Sequence, residues 1–277
     1  MASEPDTATL QAVLDAAAWA PSAKNSQPWL WHVDGQGLHL AADWDRRLGT
    51  TPFDRGDVLL ACGAVLHHCA VALAATGWRP HIRRFGDRDR LASFEWISGP
   101  PSAASRELSE VIPRRRSDRR DYADTRLPAG TIELLLVRAA RMGVQLGVVP
   151  AERWRRLDEG QVALRYGPDA GEADSSPGDG VLLALATAAD DDDARLLTGE
   201  ATSQALLSAT ALGLASCSIT EPLRSARDRL ALACEVFDGE ALPHMLIRVG
   251  APRPGAPELP AAPRRPLAET TTWAPGT

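Results

Sequence analysis

The chain reads as an α+β protein built from two tandem halves, and three observations predict this. Strand-like and helix-like segments alternate on both sides of a break at Gly99-Pro100-Pro101. Two long apolar runs, residues 58–75 and 181–189, lie one on each side of that break and read as a buried helix and a buried strand. At 277 residues and 44% hydrophobic content, the chain is long enough for one large core or two fused half-cores.

Taken in order, Leu10, Val13, Leu14 and Ala17 recur at helical spacing and predict a helix over about 8–20. Pro21 stops it, because the residue before a proline is pushed out of the helical region. LWHV and LHLAA, joined at Asp34-Gly35-Gln36-Gly37, read as a hairpin. The helix expected at about 54–76 is long and apolar enough to raise the question of a membrane span. His67 and His68 in its middle, with Asp54, Arg55 and Asp57 before it and Arg79 after it, favour a buried central helix. A strand follows through His81 and Ile82. The second half should contain a helix at about 129–142, a strand at 144–149, a short helix at 151–160 and the buried strand at 181–189. Helices near 194–214 and 222–236 and a strand at MLIRVGA complete it. Residues 166–180, rich in Gly, Pro, Asp and Ser, read as a mobile surface loop. The proline-rich tail from residue 251 has almost no helix or strand signal and has to be tied down by contacts elsewhere.

Composition excludes several classes. A formal charge of -6 argues against a nucleic-acid partner, since phosphate backbones reward a basic surface. Lys24 is the only lysine, so any phosphate must be gripped by guanidinium groups. The start MASEPDTATL lacks a basic and an apolar export region, which leads us to expect a cytoplasmic protein with no membrane partner. Cys62, Cys69, Cys217 and Cys234 have apolar, helix-like surroundings and no C-x-x-C spacing, so they read as reduced core thiols. Cys62, His67, His68 and Cys69 lack a shared ligand face, and residues 190–193 read as a helix cap, so no metal site is expected.

Three segments carry the chemistry. In APSAKNSQPW at 20–29, Ser22 offers a hydroxyl, Asn25 and Gln27 offer amides that donate and accept, and Pro21 and Pro28 stiffen the two ends. This suits a ring edge with interleaved donors and acceptors, or simply a helix-to-strand turn. Residues 114–120 hold five arginines around Ser117 and Asp118, an anion site or a solvated basic surface; a phosphate monoester would suit an R-x-S-x-R spacing of Arg115, Ser117 and Arg119. Arg264-Arg265-Pro266-Leu267 is a second basic element, and by itself would read as a loose tail.

Helix, then A-P-S-x-x-N-x-Q-P-W, then strand resembles the first signature of the FMN-dependent nitroreductases. Further stretches resemble their Acg-type branch: LHLAADWDRRL at 38–48, FDRGDVLLACGAVLHHCAVAL at 53–73, IPRRRSDRRDY at 112–122, TGEATSQALLSATALGLASCSIT at 198–220, PHMLIRVGAP at 243–252 and PRRPL at 263–267. The resemblance implies a nitroreductase-like fold, two half-repeats (1–100 and 101–277) fused into a pseudo-dimer with central helices flanked by sheets. It implies non-covalent FMN, one per chain, in a monomer. Pro21, Ser22, Asn25 and Gln27 would face the ring, and Arg115, Ser117, Arg119, Arg264 and Arg265 the phosphate and ribityl chain. Thr220 and Glu221 would lie where relatives place backbone N–H groups near flavin N5.

The implied activity is an NAD(P)H-dependent oxidoreductase, a flavoprotein passing hydride by ping-pong through N5 to a nitroaromatic or quinone-like acceptor. The alternative implied by the Acg branch is a protein that binds or sequesters FMN with little turnover. No side chain is assigned a catalytic role, because the flavin carries the hard chemistry. Members of the branch usually have a longer stretch before the strand at 181, so the short one here implies a more open flavin face.

Overall fold

The computed structural model describes residues 4–87, 89–167 and 178–275. The chain divides into two compact units, residues 1–115 with 262–277, and residues 116–261. The dividing point falls inside the R-x-S-x-R motif rather than at residue 100, and the C-terminal segment belongs with the first unit rather than the second. The expected loop at 166–180 lies for residues 168–177 outside the described residues.

In the first unit, helix α1 (Thr7–Ala17) starts where the Asp6 side chain accepts from the Thr9 N–H, and it buries Leu10, Val13, Leu14 and Ala17. Strands β1 (Trp29–Asp34) and β2 (Gly37–Ala42) form the expected hairpin, in the register Trp31 to Leu40. Helix α2 (Pro52–Ala75) opens with a reciprocal capping box between Thr51 and Asp54 and with Pro52 in its first turn. Apolar almost all round, it is a buried helix packed against α1, β2 and the next strand, β3 (Trp78–Asp87).

Two elements here were not expected from the sequence. Strand β4 (Arg90–Ser98) pairs antiparallel with both β3 and β2, and helix α3 (Ala103–Val111) packs on α2 directly after the Gly-Pro-Pro break.

The second unit contains helix α4 (Thr131–Ala140), strand β5 (Gln145–Val148), strand β8 (Val181–Thr187), helix α5 (Asp192–Ala211), strand β9 (Ala215–Ile219), helix α6 (Ala226–Phe237) and strand β10 (Leu242–Gly250). Between β5 and β8 lie the short strands β6 (Trp154–Arg156) and β7 (Val162–Leu164). They form an antiparallel hairpin, so the helix expected at 151–160 is replaced by two 3-10 turns with β6 between them, and β7 follows. The main sheet runs β5-β8-β10-β9, with β8 and β10 buried at its centre. Asp191 caps α5 by accepting from the Ala194 N–H at 2.8 Å, and Asp190 is bound by Arg195 and Arg229, which accounts for the acidic cluster.

The C-terminal segment returns to the first unit as the short helix α7 (Leu267–Thr270) and strand β11 (Thr271–Trp273). Strand β11 adds to the open edge of β1 in parallel, Trp31 facing Thr271, giving the order β11-β1-β2-β4-β3. The tail thus acquires a strand that the sequence did not announce, because its backbone donors and acceptors are met by a partner about 240 residues away. Cys62 and Cys69 are buried on α2 and Cys217 is buried on a strand, but Cys234 is exposed, contrary to its reading as a core thiol.

Candidate functional site

The first candidate loop, residues 22–27, leaves α1 and enters β1 through a left-handed bend. Lys24, Asn25 and Gln27 have φ of 48°, 56° and 48°. Asparagine tolerates this region, but for lysine and glutamine it costs about 1 kcal/mol or more each, and such strain concentrates at functional sites. The bend persists because it is tied from several sides. The Ser22 hydroxyl accepts from the Gln27 N–H at 3.0 Å, and Arg46 Nε donates to the Ser26 carbonyl at 2.6 Å. The Asn25 amide donates to the Pro263 carbonyl at 2.9 Å, and Gln27 Oε1 accepts from the Arg265 N–H at 2.9 Å. Both amides, expected to face a ring, therefore hold the C-terminal segment, and Gln27 is buried at 4% exposure.

Arg115, Arg264 and Arg265 divide into two kinds. Arg265 donates to the Gln27 carbonyl and pairs with Asp43 at 3.1 Å, so its charge is compensated and its work is to pin the tail. Arg115 and Arg264 instead converge on one atom, the Trp19 carbonyl just past the end of α1, at 3.2 and 3.3 Å. The Arg264 guanidinium also lies over the Trp19 ring at 5.1 Å and donates to Asn25 Oδ1 at 3.2 Å. Arg115 is buried at 3% exposure. On α2, burial first and then the Arg115 charge, with lesser parts from His67 and Arg264, keep His68 neutral well below the usual imidazole range. Two guanidinium groups at one carbonyl, on a polar loop, form a donor set suited to an anion.

In the second unit, the segment that follows Arg115 presents Ser117 and Arg119 outward, while Asp118 is buried between them. Burial pushes the Asp118 carboxyl up, but hydrogen bonds from Arg120 and the charges of Arg120 and Arg248 outweigh it and hold the pKa low. Arg120 is therefore consumed by Asp118, at 2.8 Å, and by the Pro257 carbonyl; Arg116 donates to the Leu259 carbonyl. Of the five arginines at 114–120, Arg116 and Arg120 thus anchor residues 257–259. The backbone of Arg119 runs against Gly160, where an added Cβ would lie 2.0 Å from the Arg119 carbonyl oxygen; only glycine admits this approach. Thr220 follows β9 in a buried position, and its N–H donates to the Glu221 carboxylate at 3.2 Å.

Beneath this segment lies a residue that the sequence reading passed over. Arg248 on β10 is fully buried, its guanidinium 4.1 Å from the centre of the Tyr122 ring, and its Nη2 donates to the carbonyls of Asp118 and Arg120. Tyr122 Oη donates to the same Asp118 carbonyl at 2.8 Å. The signal was available: one arginine stands inside the otherwise apolar strand MLIRVG.

Comparison with known proteins identifies the family. The first 81 residues match the model of the nitroreductase family. The "Putative NAD(P)H nitroreductase Rv3131" of Mycobacterium tuberculosis (strain ATCC 25618 / H37Rv) is 39% identical over 318 aligned positions, covering 97% of this chain and 92% of that protein. Since 318 exceeds the 277 residues here, that relative carries residues this chain lacks. The "Putative NAD(P)H nitroreductase acg" of the same strain is 30% identical, covering 95% of each chain. A crystal structure of a putative nitroreductase from Anabaena variabilis ATCC 29413 superposes with a TM-score of 0.57 at 11% identity, covering 91% of this chain and 90% of that one. The chain belongs to the nitroreductase family, and its α+β fold is that of a nitroreductase.

Proposed function

We propose that the protein binds FMN non-covalently, one per chain, and works as an NAD(P)H-dependent oxidoreductase on a small electron acceptor. The observation that carries this reading is the convergence of Arg115 and Arg264 on the Trp19 carbonyl beside the strained 22–27 loop. Strain maintained by so many hydrogen bonds, next to paired cations, is what an anionic cofactor would repay. The names of the 39% and 30% identical relatives supply the nicotinamide donor and the reductase class.

In this reading Arg115, Ser117, Arg119 and Arg264 would serve the phosphate and ribityl end of the cofactor. The ring would meet Ser22 and the backbone of the 22–27 loop more than the Asn25 and Gln27 amides, which the tail occupies. A bound FMN would supply two-electron redox chemistry between a nicotinamide donor and a nitroaromatic or quinone-like acceptor. The chain's own residues bind, orient and neutralise, and none is asked to move a proton. A monomer suffices, and the short stretch before β8 supports an open flavin face rather than a sealed store.

The test is anaerobic mixing of FMN-loaded protein with NADPH or NADH while the visible flavin absorbance is followed, and then addition of a nitroaromatic or quinone. Rapid bleaching and rapid recovery on adding acceptor are expected. Bleaching by dithionite but by neither nicotinamide at millimolar concentration would instead establish a flavin-binding protein without reductase turnover.

A further inference from the structure

We propose that Arg248, stacked on Tyr122, is a positioning residue for the cofactor phosphate, acting from beneath the Ser117–Arg119 segment; the inference rests on the FMN reading above. The starting point is that Arg248 is costly where it stands. It is fully buried on β10, and its Nε and Nη1 make no hydrogen bond among the described residues. A well-packed apolar side chain of similar volume at such a position is often neutral or stabilising, so a buried cation there calls for a role other than stability.

The hydrogen bonds show what the cation does. Nη2 takes the carbonyls of both Asp118 and Arg120, two residues apart, and Tyr122 Oη takes the Asp118 carbonyl as well. A trans peptide points its C=O and N–H in opposite directions. Drawing the Asp118 carbonyl inward therefore turns the Arg119 N–H outward, on the side away from Arg248. Tyr122 is in turn immobilised: its ring lies on Gly250, where an added Cβ would be 2.3 Å from Cδ2, and its N–H donates to the Gly178 carbonyl at 2.8 Å. The Asp118 N–H donates to the Ser216 carbonyl on β9 at 2.9 Å. Sheet, tyrosine and arginine together fix the peptide that carries Arg119, so an outward amide joins the exposed Ser117 and Arg119 side chains as donors toward a phosphate.

A positioning role of this kind acts on the phosphate and not on the ring, so the test compares FMN with riboflavin, which shares the ring and lacks the phosphate. Dissociation constants for both are measured by quenching of flavin fluorescence with wild-type protein, Arg248→Met and Tyr122→Phe, alongside circular dichroism and thermal melting. Arg248→Met is expected to keep the fold and to weaken FMN about tenfold, roughly the worth of one charge-assisted contact. Riboflavin affinity is expected to stay within about twofold, a shift too small to count as a lost hydrogen bond. Tyr122→Phe should lower the FMN-to-riboflavin preference in the same direction by a smaller factor. If Arg248→Met does not fold, Arg248→Lys carries the comparison, since one ammonium cannot span both carbonyls and the preference should again fall. Variants that weaken both flavins equally, or retain the full preference, overturn the inference while leaving the FMN reading intact. A wild-type protein with no preference for FMN over riboflavin removes the FMN reading and this inference with it.

Discussion

In the loop at residues 22–27 the backbone is bent into the left-handed region at three residues and held there from outside, by the C-terminal segment and by Arg46. In the segment at 117–122 no residue has positive φ, and the backbone is held from beneath by a buried cation and an aromatic ring. The first loop spends its side-chain amides on its own support, whereas the second keeps Ser117 and Arg119 exposed because its carbonyls do the anchoring. Residues of a signature can be spent on holding the backbone. Asn25 and Gln27 act as ties, and the residue that shapes the second segment sits about 130 positions further along the chain.

Four tests can break this contrast. The largest effect is expected from Arg264→Ala or Arg119→Ala, each of which should weaken FMN binding by about one to two decades, or 1.5–3 kcal/mol for a lost charge-assisted hydrogen bond. Arg265→Ala should weaken FMN distinctly less, because that guanidinium is already paired with Asp43. Equal losses for Arg264→Ala and Arg265→Ala in the same fluorescence titration would erase the division of labour drawn in the first unit.

Next in size is Gly250→Ala, which forces a methyl against Tyr122 and should cost about 1–3 kcal/mol of stability by overpacking, read as a lower denaturant midpoint at unchanged m-value. Gln27→Ala should cost about 1–2 kcal/mol by leaving the Arg265 N–H without its acceptor, and should expose residues 258–266 to limited proteolysis. An intact tail in that variant would mean that the amide is free to serve elsewhere.

The smallest effect is a pH dependence. Burial first, and then the Arg229 charge, depress His244 from 6.5 to about 4, and His68 is depressed in the same sense. The unfolded chain takes up these protons first, so the stabilisation is complete above pH 6.5 and lost as pH falls toward 4. For His244 this is on the order of 1 kcal/mol between pH 7 and 5.5. His244→Asn or Gln, measured by denaturant unfolding across that window, should flatten the slope; an unchanged slope would place the titration elsewhere.

Elements driven by their own residues were legible in the sequence: α2 from its unbroken apolar run, the β1–β2 hairpin from its Gly-rich turn, and β8 and β10 from apolar stretches of strand length. Elements made by distant pairing were not. Strand β11 has three residues and exists because β1 offers it an edge. Strand β6 hides in a charged stretch, ERWRRLDEG, which favours helix locally and becomes a strand by pairing with β7 just beyond it. Helix α3 buries only Leu108 and Val111 in a mostly polar stretch, so no apolar run announced it, and strand β4 is set by pairing with β2 and β3. For the site, the arginines and the polar loop were visible as types. Which of them would be neutralised, as Arg120 is by Asp118 and Arg265 by Asp43, depended on partners set by the fold.

In the proposed reading this donor set belongs to FMN. Titration of the purified protein with FMN, followed by fluorescence quenching and by the absorbance of protein separated from free flavin, tests it most directly. Saturation at one FMN per chain, with riboflavin bound at least about tenfold more weakly as loss of a charge-assisted phosphate grip requires, is the predicted result. Protein that stays colourless after incubation with excess FMN would contradict it.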